Sequence, residues 1–402
     1  MTPADLSRTV LHAVRRAVDE DALRAPVPAR VRVERTRPGG SGDYACAVAL
    51  QLAGPAALPA LEVARILRER VAAEPGVGRV EITGPGFLSF TLDAPAASDR
   101  AVLAAVREQG LAYGHGDALR DEIHQFHHAP EVRAAVTAQT VRRLLTAQGA
   151  RVRTTCEQAP DPDWVRLGVT VDAHGTPPVP LTGIRPVPAG ATAGELLERL
   201  GPDAARWGLL RAAGHDRAAL GPELLVQGEA NPLFRVRYAH ARARALTRGA
   251  AALGFTAEAA AQGEGAAAPA THGESPAPYG EVHTEPAPSG AQAANADPAP
   301  YGEIGSGPAP YDAAARPLLD LIADHPGVLL AGARHRAPDR VARQLEAVAH
   351  AFFDFHDSCP PLPAGDEKPS AAHRARLALA EAAGTVLAGG LSLLGIRAPD
   401  HL

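Results

Sequence analysis

The stretch NPLFRVRYAHAR, Asn231 to Arg242, decides how the chain is read. Its apolar positions recur at helical spacing, and the pattern continues to Leu253, predicting one long helix over Pro232 to Leu253. Between Asn231 and Leu253 stand Arg235, Arg237, Arg242, Arg244 and Arg248, with no acidic residue. Arg237, Arg244 and Arg248 share one face at helical spacing. Such a face holds phosphates and makes binding salt-dependent. The competing reading is a solvated arginine surface in an arginine-rich chain. Tyr238 and Phe234 are aromatics able to stack on an unpaired base or to pack in a core.

Helical periodicity returns after this stretch, over Ala313–Ala323, Pro326–Ala331, Asp339–Asp357 and Ala371–Leu394. Together with 226–254, residues 313–402 make an all-helical bundle. Its two parts are separated by 255–312, where Pro-Ala-Pro-Tyr occurs at 276–279, 298–301 and 308–311. A segment so poor in aliphatic residues buries too little surface to offset its ordering entropy. It is expected to be a disordered insertion. The alternative is an extended docking tract for a protein partner.

Upstream, Leu6, Val10, Ala13, Val14 and Ala17 predict a helix over 3–24, stopped by Pro26 and Pro28. Val31 and Val33 alternate with charges, as in a strand. Asp43 is expected to cap a helix running through Leu52, and another covers 61–73. Val80–Leu92 reads as two strands joined at Gly84-Pro85-Gly86. Residues 1–95 thus form a small α+β unit, and 96–120 a connector. In 121–225, strand 123–127, helix 132–148 and strand 152–156 seed a nucleotide-binding sheet. Val165–Val171 is a further strand candidate, and Leu196–Ala213 is helical.

The 402 residues carry a net charge of -5, so RNA contact must rest on local basic faces. Cys46, Cys156 and Cys359 have no metal-ligand spacing and suit a reducing cytoplasm. No metal site is expected, and the close histidines His124, His127 and His128 have no Cys or carboxylate cluster with them. No stretch resembles a membrane span or secretion signal, so a cytoplasmic protein without membrane contact is expected.

GDYACAVALQLA (Gly42–Ala53), GPGFLSF (Gly84–Phe90), NPLFRVRYAHAR and GLSLLGIRAPDHL (Gly390–Leu402) resemble arginyl-tRNA synthetase of the bacterial type. The resemblance implies a multidomain α+β fold: an N-terminal additional domain that grips the tRNA elbow, a reduced Rossmann-like α/β remnant, and a C-terminal all-α anticodon-binding bundle of the DALR type. It implies RNA contacts at Tyr44, Gln51 and Phe87 in the first domain. In the bundle, RNA contacts are expected at Arg235, Arg237, Tyr238, Arg242, Arg244, Arg248 and His356, of which Arg235, Arg237 and His356 replace the family's tyrosine, glutamine and tyrosine.

The family activates arginine with a His-x-Gly-His turn at a helix N-terminus and a Lys-Met-Ser-Lys-like loop. No His-x-Gly-His occurs in this sequence. His128-Ala129-Pro130-Glu131 stands in its place, and Pro180–Arg185, without lysine, in place of the loop. Lys368 is the single lysine of the chain. The sequence therefore resembles truncated, arginyl-tRNA-synthetase-related anticodon-binding proteins of actinobacterial type. The resulting expectation is a tRNA-binding protein that is not an enzyme, with no catalytic residues and no cofactor. The alternative is an arginine–tRNA ligase using ATP and magnesium, or a transferase supplied with activated arginine. A third reading is a protein-interaction module.

Overall fold

The computed structural model describes residues 3–36, 41–74, 77–92, 95–258 and 313–402. The three Pro-Ala-Pro-Tyr copies, and with them most of the expected insertion, lie outside the described residues.

The N-terminal domain begins with α1 (Pro3–Asp19), whose Leu6, Val10, Ala13, Val14 and Ala17 are buried as one apolar stripe. There follow β1 (Val33–Arg35), β2 (Tyr44–Cys46), α2 (Val48–Ala56), α3 (Ala60–Val71), β3 (Val77–Thr83) and β4 (Phe87–Leu92). The strands form an antiparallel sheet in the order β1-β2-β4-β3. The expected helix starting at Asp43 is corrected here. Tyr44 and Cys46 pair with Phe90 and Leu88 and alternate into the core, so the helix starts only at Val48. Pairing with a partner strand overrides local helix preference. Gly42 makes that entry possible: it has φ +76°, and a Cβ there would meet the Phe90 carbonyl oxygen at 2.7 Å.

The middle of the chain comprises α4 (Pro95–Gln109), β5 (Ile123–His128), α5 (Val132–Ala147), β6 (Arg151–Cys156), β7 (Ala173–His174), β8 (Thr182–Ile184) and α6 (Ala193–Arg211). All neighbouring strands are parallel, in the order β7-β6-β5-β8. The expected strand over Val165–Val171 is absent. Pro162–Leu167 is a 3-10 turn that buries Trp164 and Leu167 while leaving Val165 74% exposed. Two very short strands, β7 and β8, complete the sheet instead, and β8 lies inside the Pro180–Arg185 stretch. The order places β5 at the centre, so the chain changes side between β7 and β8.

The bundle consists of α7 (Pro232–Ala252), α8 (Arg316–His335), α9 (Pro338–Ser358) and α10 (Ala371–Leu394). The two helices expected around Pro326 are one, because α8 runs through that proline. The bundle also extends further than expected before the insertion: Phe255 and Ala257 are buried in its core. One apolar core runs from the parallel sheet into the bundle and contains both tryptophans, Trp164 and Trp207; the N-terminal domain has its own. Helix α10 is long and apolar enough to cross a membrane, but 67% of its apolar window is buried inside the protein, as in a core helix.

Two buried guanidiniums tie α5 and α6 to each other and to α10. Arg133 donates to the carbonyls of Leu209, Ala212 and Ala213 at the end of α6, and to those of Val187 and Asp216. Arg206 donates to the Leu394 carbonyl at the end of α10, to Thr140 Oγ1 and to the Leu167 carbonyl. Both put a cation where helix carbonyls have no intrahelical partner.

Candidate nucleic-acid interface

Helix α7 starts where Asn231 caps it, accepting from the Leu233 and Phe234 amides at 3.1 and 3.4 Å, with Pro232 at its first turn. The Asn231 amide also donates to the Leu224 and Val226 carbonyls, at 2.8 and 2.9 Å, which fixes the preceding loop.

From that start the helix presents two arginine-bearing faces. On the first, Tyr238 is 43% exposed and its ring is stacked between Phe234 and Phe353, with centroids 5.6 and 5.5 Å away. Arg235 donates to His350 Nδ1 at 2.9 Å, and Arg242 Nε reaches His356 Nε2 at 3.4 Å. The pairs 235–350, 238–353 and 242–356 advance together, so α7 and α9 run parallel along this face. The result is an exposed aromatic stack flanked by two guanidiniums and two imidazoles.

The second face carries Arg237, Arg244 and Arg248, and it is already engaged within the chain. Arg237 lies 3.7 Å from Asp203, and Arg244 Nε 3.2 Å from Asp400. Arg248 reaches the Asp400 carbonyl at 3.5 Å and His401 at 3.4 Å. The seven RNA contacts expected in the bundle thus separate into two groups, Arg235, Tyr238, Arg242 and His356 on one face and Arg237, Arg244 and Arg248 on the other. His350 and Phe353 were missed. Their three-residue spacing on α9 matches that of Arg235 and Tyr238 on α7, a signal readable only once the two helices are known to pair.

In the N-terminal domain, Gln51 is exposed on α2 and Phe87 is 37% exposed at the start of β4. Tyr44 is corrected: it is 5% exposed and packs in the domain core, so its ring is not presented for stacking.

At the carboxyl ends of β5 and β8, where a doubly wound sheet holds its ligand, the chain's own groups fill the space. Glu131 caps α5, its carboxylate accepting from the Ala134 and Ala189 amides, both at 2.8 Å. His128 lies 1% exposed against Trp164, with ring centroids 5.8 Å apart. The position where a helix N-terminus would take a phosphate is occupied by a carboxylate. These residues do not fit the phosphates of ATP, and no step through ATP is assigned to them. His124, His127 and His128 turn to separate partners, Glu122, Thr155 and the Ala129 carbonyl. Among the described residues no three metal-ligating side chains converge.

A basic helical face with stacked aromatics, set on an all-helical bundle beside a parallel sheet, defines an anticodon-binding protein of the synthetase type. The comparisons agree. The family model for the DALR anticodon binding domain matches residues 294–402, and that for the arginyl tRNA synthetase N terminal domain matches residues 5–92. Both ends of the chain thus match domains of arginyl-tRNA synthetases.

An arginine–tRNA ligase of Frankia alni aligns with all of this chain and all of its own length, 25% identical over 597 residues. That alignment is longer than the chain's 402 residues, so it crosses stretches of the relative with no counterpart here. The arginine–tRNA ligase of Renibacterium salmoninarum is 40% identical over 165 residues, 38% of this chain and 30% of its own length. That of Pseudarthrobacter chlorophenolicus also matches over only 30% of its length. Among solved structures, arginyl-tRNA synthetase of Thermus thermophilus covers all of both chains with a TM-score of 0.60 at 14% identity. That of Plasmodium falciparum gives 0.58 at 8% identity, covering 100% of this chain and 99% of its own. These two show the shared fold.

The end-to-end alignment with an arginine–tRNA ligase overturns the expectation that the chain is not an enzyme.

Proposed function

We propose that this protein binds arginine tRNA, seating the anticodon arm on the α7–α9 face. The observation that carries the reading is the exposed Tyr238 ring, stacked on Phe353 and flanked by Arg235 and Arg242. A ring with a free edge beside guanidiniums supplies base stacking and phosphate contact together. The exposure of Gln51 and Phe87 supports them as the N-terminal contacts with the tRNA elbow. The cytoplasm is the compartment where such a ligand is met. Filter binding of arginine tRNA against an unrelated tRNA, across a salt series, tests the reading. Preference for arginine tRNA with a steep salt slope is expected; equal weak binding to both sinks it.

A second reading, arginine–tRNA ligation, is favoured by the alignment that spans the whole Frankia ligase. ATP and magnesium would be its co-substrates. Arginine incorporation into tRNA, measured with ATP and magnesium and again with preformed arginyl-adenylate, tests it. Charging under the first condition supports full ligation, charging only under the second supports transfer alone, and charging under neither sinks this reading.

A further inference from the structure

A groove of about 1540 Å³ lies between α5, α7, α10 and the C-terminal tail. Five guanidiniums line it, from Arg142, Arg143, Arg237, Arg244 and Arg397. They come from three separate stretches of chain. His115 and His240 line it as well.

The charges do not balance. Asp172 pairs with Arg142 at 3.0 Å. Asp203 is shared between Arg397 at 3.0 Å and Arg237 at 3.7 Å. Asp400 is shared between Arg244 at 3.2 Å and His240 at 3.4 Å. Glu381 also lines the groove; burial raises its carboxyl pKa, against downward pulls from its Thr247 hydrogen bond, Arg107 and Arg244. Arg143 has no carboxylate partner among the described residues; its one hydrogen bond is a 3.5 Å contact to the Gly168 carbonyl. The buried Nε of Arg237 has no hydrogen-bond partner. Partly desolvated cations without anions are costly, and an incoming oxyanion relieves that cost.

We propose that this groove binds phosphate groups through Arg143, Arg237, Arg244 and Arg397, and that Asp400, the partner of Arg244, is the resident competitor which an incoming phosphate displaces. The planar guanidinium fork matches phosphate oxygens, and several forks converging from different directions suit a polyanion better than a single carboxylate. The volume exceeds the roughly 300–1,000 Å³ of ordinary small-ligand pockets, leaving room for a nucleotide polyphosphate or a run of RNA backbone. Asp400 sits on a tail that leaves α10 through Gly395, a left-handed residue with φ +73°. Arg237 and Arg244 point away from the Tyr238 stack, so the groove is distinct from the α7–α9 face. The proposal stands whether or not that face binds tRNA.

The test titrates inorganic tripolyphosphate into the full chain at constant ionic strength, followed by calorimetry. Saturable binding is expected, weakened at least about tenfold in Arg143→Gln and tightened several-fold in Asp400→Asn. Should Arg143→Gln fail to fold, the exposed Arg397→Gln replaces it with the same expectation. Competition with ATP and with a short single-stranded RNA then separates the two sources of phosphate: the one that displaces tripolyphosphate is the ligand class. No saturable binding, affinity unchanged in both arginine variants, unchanged affinity in Asp400→Asn, or displacement by neither competitor would each overturn the proposal.

Discussion

The Tyr238 ring lies on the Phe353 ring with centroids 5.5 Å apart and planes 22° from parallel. The two residues belong to different helices and meet because α7 and α9 advance in step. Their shared stack leaves the outer edge of Tyr238 in water. Stacking on one base is worth about 1–3 kcal/mol. Tyr238→Ala is therefore expected to weaken arginine-tRNA binding roughly 5- to 150-fold, while Tyr238→Phe keeps most of the affinity. Filter binding at fixed salt checks this, and equal affinity in all three proteins would remove Tyr238 from the interface.

Arg235 and Arg242 flank the stack as phosphate-binding cations. Each Arg→Gln substitution should reduce the slope of log affinity against log salt by about 0.7–0.9, the value for one phosphate contact. Loss of affinity should be similar for every tRNA tested. A slope that does not move means these side chains touch no phosphate.

Arg206 is a structural cation. Its replacement by Met leaves the Leu394 and Leu167 carbonyls and the Thr140 hydroxyl without their donor inside the core. A buried group left unsatisfied costs about 1–3 kcal/mol. Arg206→Met is expected to lower stability by several kcal/mol in urea denaturation, and Thr140→Val by about 1 kcal/mol. Comparable losses in the two variants would contradict this account of Arg206.

His325 is buried, bonded through Nδ1 to Gln344 Oε1 at 2.6 Å and stacked with Tyr113. Burial pushes its pKa down to about 4, against a weaker upward pull from the Gln344 bond, with His115 adding to the decrease. The unfolded chain takes up this proton near pH 6.5 and the folded chain only near 4. The stability associated with neutral His325 is present above pH 6.5 and is lost as pH falls through that window. The loss approaches about 3 kcal/mol. The difference in unfolding free energy between the parent and His325→Gln should therefore shrink between pH 7 and pH 4.5. A constant difference would show that His325 carries no such linkage.

Much of this architecture was legible in residue spacing. Helices α1, α7 and α9 bury stripes set by the 3.6-residue period, and the β3–β4 hairpin is marked by Gly84-Pro85-Gly86. Other parts were hidden for identifiable reasons. Tyr44 and Cys46 sit in an apolar run that reads as helix until Phe90 and Leu88 are placed opposite them. Strands β7 and β8 are too short, and too surrounded by Gly and Pro, to carry a period. The arginine ridge of α7 was visible, but its division into an open face and an engaged one depends on Asp203 and Asp400, which only folding brings near. The groove was invisible because Arg143, Arg237 and Arg397 are separated along the chain.

The placement of Trp164 and Trp207 in one continuous core has a practical outcome. Tryptophan-selective fluorescence will register melting of the parallel sheet and whatever is coupled to it, and will be blind to the first ninety or so residues. A calorimetric trace showing a transition with no optical counterpart would then be the signature of that N-terminal module coming apart by itself.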